Sequence, residues 1–222
     1  WRQMTDPHTT AERERLYCGA KLQRLDAESL RDAMLAVTGK LHPQTGGEPV
    51  SVARDLSTGR IVLGREVINP GNGMIDKIET AGENVFRRSL YIESRRSRPL
   101  TVLDTFDLPL MNPNCTVRTV TTVAPQSLLL MNDAFSIEQA QALAERLQRE
   151  APEHDLSRIH RAWALLYGKV PPPLDTARSL VFLHDQRRDL EQQGREAGQA
   201  ATEALAAWCQ VMLSTNQFLY LE

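Results

Sequence analysis

Five arginines, Arg87, Arg88, Arg95, Arg96 and Arg98, crowd one short stretch of the chain beside a single carboxylate, Glu93. A guanidinium is a planar fork of donors that matches carboxylate, sulfate or phosphate oxygens two at a time. One reading is therefore an anion grip for a partner protein or an anionic glycan, to which Arg118 can be added. If the stretch is extended, successive side chains point to opposite faces, so only about half of them can line one site. The other reading is internal, with these arginines pairing to Asp32, Asp104, Asp107 or Asp133 and knitting the segment to neighbouring helices.

A second constellation is Asp26, Glu28, Arg31 and Asp32, in which Glu28 and Asp32 stand four residues apart and share a helix face. Paired carboxylates can move protons or hold a hard cation. The same residues can equally serve as a helix cap and as partners for arginines. A third lies in a proline-flanked polar loop, Asn114, Cys115, Arg118, Thr121 and Thr122, where a neighbouring cation would favour the thiolate of Cys115. No histidine stands close in sequence to act as its base, and a loop held by threonine capping is the competing reading. Gln126 and Asn132 bracket the apolar run that follows and are expected to bond backbone groups at its ends, while Asp133 caps the next helix.

The rest of the composition removes function classes. The 222 residues carry 26 basic and 28 acidic side chains, a formal net charge of −2, which offers no field for nucleic acid. No apolar stretch approaches the ~20 residues of a membrane-spanning helix. Three cysteines form no CxxC or CxxCH pattern, and the five histidines never pair at helical spacing, so no metal site is expected. Cys209, Trp163 and Trp208 sit on helical apolar stripes and read as core. There is no GxGxxG, P-loop or GxSxG sequence. The chain opens on Trp1, and an upstream portion of the protein is expected.

The elements that must position these residues can be read from periodicity. Asp26 caps a helix running to about Thr38, with Leu25 and Leu30 as a staple and Gly39 as its left-handed stop. Residues 10–24 are expected to form a preceding helix or turn. Between Leu41 and Gly82 glycines and prolines punctuate a loop-rich stretch, in which Val50–Ala53 and Arg60–Ile68 flank a Thr58-Gly59 turn as a hairpin. Ser89–Ser94 alternates and is expected to add a third strand. Pro125 opens a short buried helix through Leu128–Met131. Further helices are expected over about 134–149, from Asp155 to Gly168, over 174–193 with Leu180, Val181 and Leu183 inward, and over about 200–215. A tail of Phe218, Leu219 and Tyr220 docks on them. The fold class is mainly α, a helical bundle with a small β-hairpin or sheet insertion in the middle segment. Residues 1–133 form the mixed part and 134–222 an all-α bundle, in one continuous domain.

Several segments in order carry a family resemblance: Arg24–Ala33, Arg87–Tyr91, Arg95–Pro99, Phe106-Asp107, Asn114-Cys115, Thr121-Thr122, Pro125–Leu128, Asn132–Phe135 and Leu213–Tyr220. With these motifs the chain resembles the planctomycete cytochrome-c-associated domain of unknown function 1553, the PSD family. It departs from the pattern at Gln217, where the family tends to have Glu, and over 50–82. The resemblance implies the C-terminal part of a large secreted protein, extracytoplasmic, with no established reaction. It implies no cofactor in this chain, and haem c on an upstream domain of some members. Upstream domains of the same polypeptide, or another exported protein, are then the expected partners. Two further readings stay open: an enzyme acting on polysaccharide whose site is completed upstream, and a docking surface for a haem-bearing domain.

Overall fold

The computed structural model describes residues 22–95, 97–109, 118 and 120–221. The expectations for Arg96, Asn114 and Cys115 lie outside these, as do residues 10–21 of the helix or turn expected over 10–24, whose described end is instead a strand, Gln23–Arg24, paired with Tyr220–Leu221. The described chain runs β1 (Gln23–Arg24), α1 (Ala27–Thr38), β2 (Val52–Arg54), β3 (Ile61–Ile68), β4 (Ile75–Thr80), two 3-10 turns (Gly82–Phe86 and Ser89–Tyr91), α2 (Thr101–Thr105) and α3 (Ala124–Asn132). It continues with α4 (Ala134–Glu150), α5 (Asp155–Tyr167), α6 (Pro173–Gln192), α7 (Ala197–Leu213), α8 (Asn216–Leu219) and β5 (Tyr220–Leu221). Mainly α with a small sheet in its middle segment is thus the observed class.

Helix α1 begins and ends where its sequence dictates. The Asp26 side chain accepts the Ser29 amide at 2.7 Å, and Gly39 closes the last turn at φ 75°, where a side chain would be strained. Ala27, Leu30, Met34 and Leu35 follow at three- and four-residue steps and are buried, together with Arg31. From α4 come Ala140, Leu143, Ala144 and Leu147, and from α7 Ala200, Ala204, Leu205, Trp208 and Cys209. Small residues on both helices let the backbones approach closely. Leu30, Met34, Val102, Leu103 and Phe106 share one core cluster with these bundle residues.

Strands β2, β3 and β4 form an antiparallel sheet, with Val52 opposite Leu63 and Arg65 opposite Glu79. Between β2 and β3 the Asp55 carboxylate accepts the Ser57 and Thr58 amides, and Gly59 takes φ 71°. Gly64 is required by a close approach: a Cβ there would stand 2.5 Å from the Glu79 carbonyl oxygen.

Three expectations are corrected. The third strand is β4, not Ser89–Ser94. Ser89 is drawn into a 3-10 turn because its amide and hydroxyl both donate to Asp32 at 2.7 Å, and such side-chain bonds compete with a ladder. Only Ile92 of that stretch bridges to the hairpin, at Val50. Helix α3 is not a buried helix: Leu130 is covered, but Leu128 and Met131 are 57% and 62% exposed. A lone helix at the edge of a core can turn only one stripe inward, and here that stripe is Gln126 and Leu130, four apart. On α6 Leu183 and Ser179 are buried and Phe182 packs partly buried against the core, while Leu180 and Val181 lie outside.

The tail closes the structure. Phe218 and Leu219 bury, and β5 pairs antiparallel with β1, matching Arg24 to Tyr220. The two ends of the described chain are thereby fastened together. No helix among the described residues is long and apolar enough to cross a membrane.

Candidate functional site

An open cleft of about 720 Å³ lies beside the amino-terminal half of α1 and gathers many of the chemically active residues. Asp26, Glu28 and Asp32 line one wall, Arg88 and Glu93 another, and Arg118 closes an end. Leucines and prolines, among them the exposed Leu90, make up the remainder. No aromatic side chain stands among the described lining residues.

The charges in the cleft are engaged with one another. Arg118 donates to Glu28 at 2.6 Å, lies 3.8 Å from Asp26, and donates to the Asp107 carbonyl oxygen at 3.2 Å. Asp32 holds Ser89 and has Arg88 at 3.7 Å. Glu93 pairs with Arg95 at 2.9 Å, while its second carboxylate oxygen is buried without a partner. Burial pushes the Asp26 carboxyl up, but the Ser29 bonds, with Arg118 and Arg24 nearby, outweigh it and hold its pKa below the ordinary value.

Three further arginines are structural members in the plain sense that their donors meet backbone. Arg31 is buried and donates to the carbonyls of Val85 and Arg87 and to the Ser89 hydroxyl, with its guanidinium 5.6 Å from the Phe135 ring centroid. Burial pulls its pKa down to about 10, against the pull of Asp32. It stays charged at neutral pH. Arg87 is also buried, donates to the carbonyls of Gly46 and Glu48, and stacks 4.1 Å over Tyr91. Arg146 reaches from α4 to the Val37 carbonyl at 2.8 Å, satisfying the end of α1. Arg98 pairs with Glu66, and Arg60 with Asp133, whose carboxylate also caps α4 by accepting the Phe135 amide at 2.9 Å.

Asp107 centres a second knot behind the cleft. It adopts φ 65°, rare for a residue with a side chain, and its carboxylate accepts Arg24 at 2.5 Å and the amide and hydroxyl of Thr121 at 2.8 Å each. Burial works against the charge here, but the Thr121 bonds and then Arg24 prevail, and the pKa falls below the carboxylate norm. Gln126 donates to the Thr105 carbonyl at 3.1 Å and accepts the Val123 amide, and Asn132 donates back to Leu128. Thr122 meets the Tyr220 hydroxyl at 3.0 Å.

The structure therefore brings Asp26, Glu28, Asp32, Arg88 and Arg118 to one cleft. It turns Arg31 and Arg87 inward, and sets Asp107, Thr122, Gln126, Asn132 and Asp133 at element junctions. Sequence reasoning missed Arg24, Ser89 and Glu66. Arg24 stands one residue into a two-residue strand and stacks over Phe106, a pairing between residues more than eighty positions apart that no local pattern encodes. Cys209, fully buried, has its thiol pushed up by desolvation and is a free, protonated hydrophobe. Among the described residues no group of three or more His, Cys, Asp and Glu side chains could hold a metal.

Fold and cleft together define a helical protein with one shared core, a small sheet laid over it, and a polar recess whose ions are internally paired. The chain belongs to the family described as Protein of unknown function (DUF1553), PSD1, whose model matches residues 1–183. That match ends within α6, so α7 and the pairing strand β5 lie beyond it. No curated protein and no solved structure matches the chain.

Proposed function

We propose that this chain is a helical interaction and scaffold module, the C-terminal part of a large exported bacterial protein of the planctomycete cytochrome-associated kind. Its cleft receives other parts of the same polypeptide rather than a substrate. The observation that supports this most is the mutual engagement of charges: Glu28 with Arg118, Asp32 with Ser89, and Asp107 with Arg24 and Thr121. A general acid must hold its proton near neutral pH and hand it over. Among the described residues the carboxylates whose pKa values are displaced, Asp26, Asp55, Glu79, Asp107, Glu150 and Asp155, move downward. Each keeps its negative charge more firmly and so carries less proton to give near neutral pH; of the six, Asp26 lines the cleft.

The cleft's free capacity lies at its lip. Arg88 is half exposed and held only loosely by Asp32, and Leu90 projects beside it. A neighbouring domain offering an apolar contact and an acceptor suits this pair. The setting is extracytoplasmic, and haem c belongs to an upstream domain where the protein carries it.

Hydrogen exchange on the full-length protein tests this reading. Leu90→Asp should speed exchange at amides 88–94 and at a surface outside this chain, with the bundle unchanged. Acceleration confined to the chain itself would count against docking. Hydrolysis of a polysaccharide by the full-length protein, abolished by Glu28→Gln without loss of stability, would favour the enzyme reading instead.

A further inference from the structure

The outer face of α6 carries exposed apolar and charged residues in an order that can match a copy of itself. At about 100° per residue, Leu174, Arg178, Val181, Asp185 and Arg188 fall within an arc of roughly 80°. Leu174 and Val181 are 60% and 59% exposed, and the Arg178 side chain is 70% exposed. A shallow groove of about 500 Å³ runs along this face, lined by Arg178, Val181, Phe182 and Asp185. The opposite side of the helix carries Ser179 and Leu183 into the core, and Arg187 pairs with Asp155 of α5 at 2.7 Å. The stripe therefore has no occupant among the described residues.

From this we infer that α6 is a two-fold association surface, and that its occupant is α6 of a second copy of the chain, lying antiparallel. With the two-fold axis between residues 181 and 182, Arg178 stands level with the second copy's Asp185, and Asp185 with its Arg178. The two Val181 side chains meet at the centre. A parallel arrangement sets Arg178 against Arg178 and Asp185 against Asp185, so the charge pattern selects the antiparallel one. The ion pairs these residues now make are intrahelical and long, Arg178 to Asp175 at 3.5 Å and Arg188 to Asp185 at 3.8 Å. Exposed pairs of that kind hold their partners weakly and can be exchanged. The contact is isologous, as closed dimers require. One helix crossing buries less than the ~1,200 Å² of a standard stable interface, so the association is a weak one.

Sedimentation of the 222-residue chain over about 1 to 300 µM, a range that brackets weak association, reads this directly. Three variants complete the test: Arg178→Asp, Asp185→Arg, and the two together. The expected result is a concentration-dependent dimer for the wild type, at least a tenfold weaker one for each single variant, and recovery in the double variant, where the pairs reform with signs exchanged. Because both side chains are exposed, circular dichroism should show all four proteins equally helical. A wild-type chain that stays monomeric throughout overturns the inference. So does a dimer indifferent to the single changes, or a double variant that fails to recover.

Discussion

The segment from β1 to α3 and the bundle from α4 to α7 share a core but are fastened by different forces. In the bundle the joining groups are Leu143, Leu147, Leu183, Leu205 and Trp208, and the stabilisation comes from apolar surface withdrawn from water. In the first segment the joining groups are arginines: Arg31 and Arg87 on backbone carbonyls, Arg24 on Asp107, Arg118 on Glu28. Short elements with long connections leave many backbone groups that no helix or ladder satisfies, and a guanidinium with five donors can serve several of them at once. The lesson is that a cluster of arginines marks a place where irregular backbone must be held.

The contrast can be broken first in the bundle. Leu143→Ala should cost about 2–5 kcal/mol of unfolding free energy and lower protection everywhere, because the cavity opens in the common core. A local effect confined to α4 would mean the core is not shared. Arg31→Ala should cost somewhat less, roughly 2–4 kcal/mol, by leaving the Val85 and Arg87 carbonyls buried without donors. Its signature is regional: amides from 82 to 92 exchange fast while α5 and α7 stay protected. Uniform loss of protection would erase the distinction between the two regions.

A pH series sharpens it further. The folded pKa of Asp107 is lowered, so the stability it brings is full above the unfolded carboxylate value near pH 4 and is lost as pH falls through the lower folded value. Asp107→Asn should cost about 1.5–3 kcal/mol at neutral pH, the worth of hydrogen bonds to a charged group, and should flatten the acid limb of the stability curve. An acid limb as steep as the wild type's would place the titrating group elsewhere. The smallest effect belongs to Glu28→Gln. Its partly exposed pair with Arg118 should yield about 0.2–1 kcal/mol, shrinking in high salt.

The two regions also differ in how far they could be read in advance. Helices α1, α4, α5 and α7 are written in local signals, such as Asp26 and Gly39 at the ends of α1 or Gly168 after α5. The hairpin of β2 and β3 is likewise local. Strand β4 was not legible, because in its sequence, Ile75–Thr80, two isoleucines stand three apart among charged residues, which breaks the two-residue period of a strand where the ladder itself is irregular. Ser89–Ser94 misled in the other direction: its apolar alternation suits a strand, but Asp32 captures Ser89. The exposed faces of α3 and α6 were hidden for a related reason, since an apolar run does not say which of its members the core has room for. The candidate residues of the cleft could be named one by one. Their partners could not, because Arg118 meets Glu28 and Arg24 meets Asp107 across 90 and 83 residues of chain.

The most direct test is a double-mutant cycle on Arg24 and Asp107, using Arg24→Met and Asp107→Ala with unfolding free energy as the readout. If the polar groups of this segment hold each other, each single change is costly and the pair shows a favourable coupling of about 1–3 kcal/mol. Additive effects with no coupling, or single variants as stable as the wild type, would contradict the account and leave Asp107 free for another role.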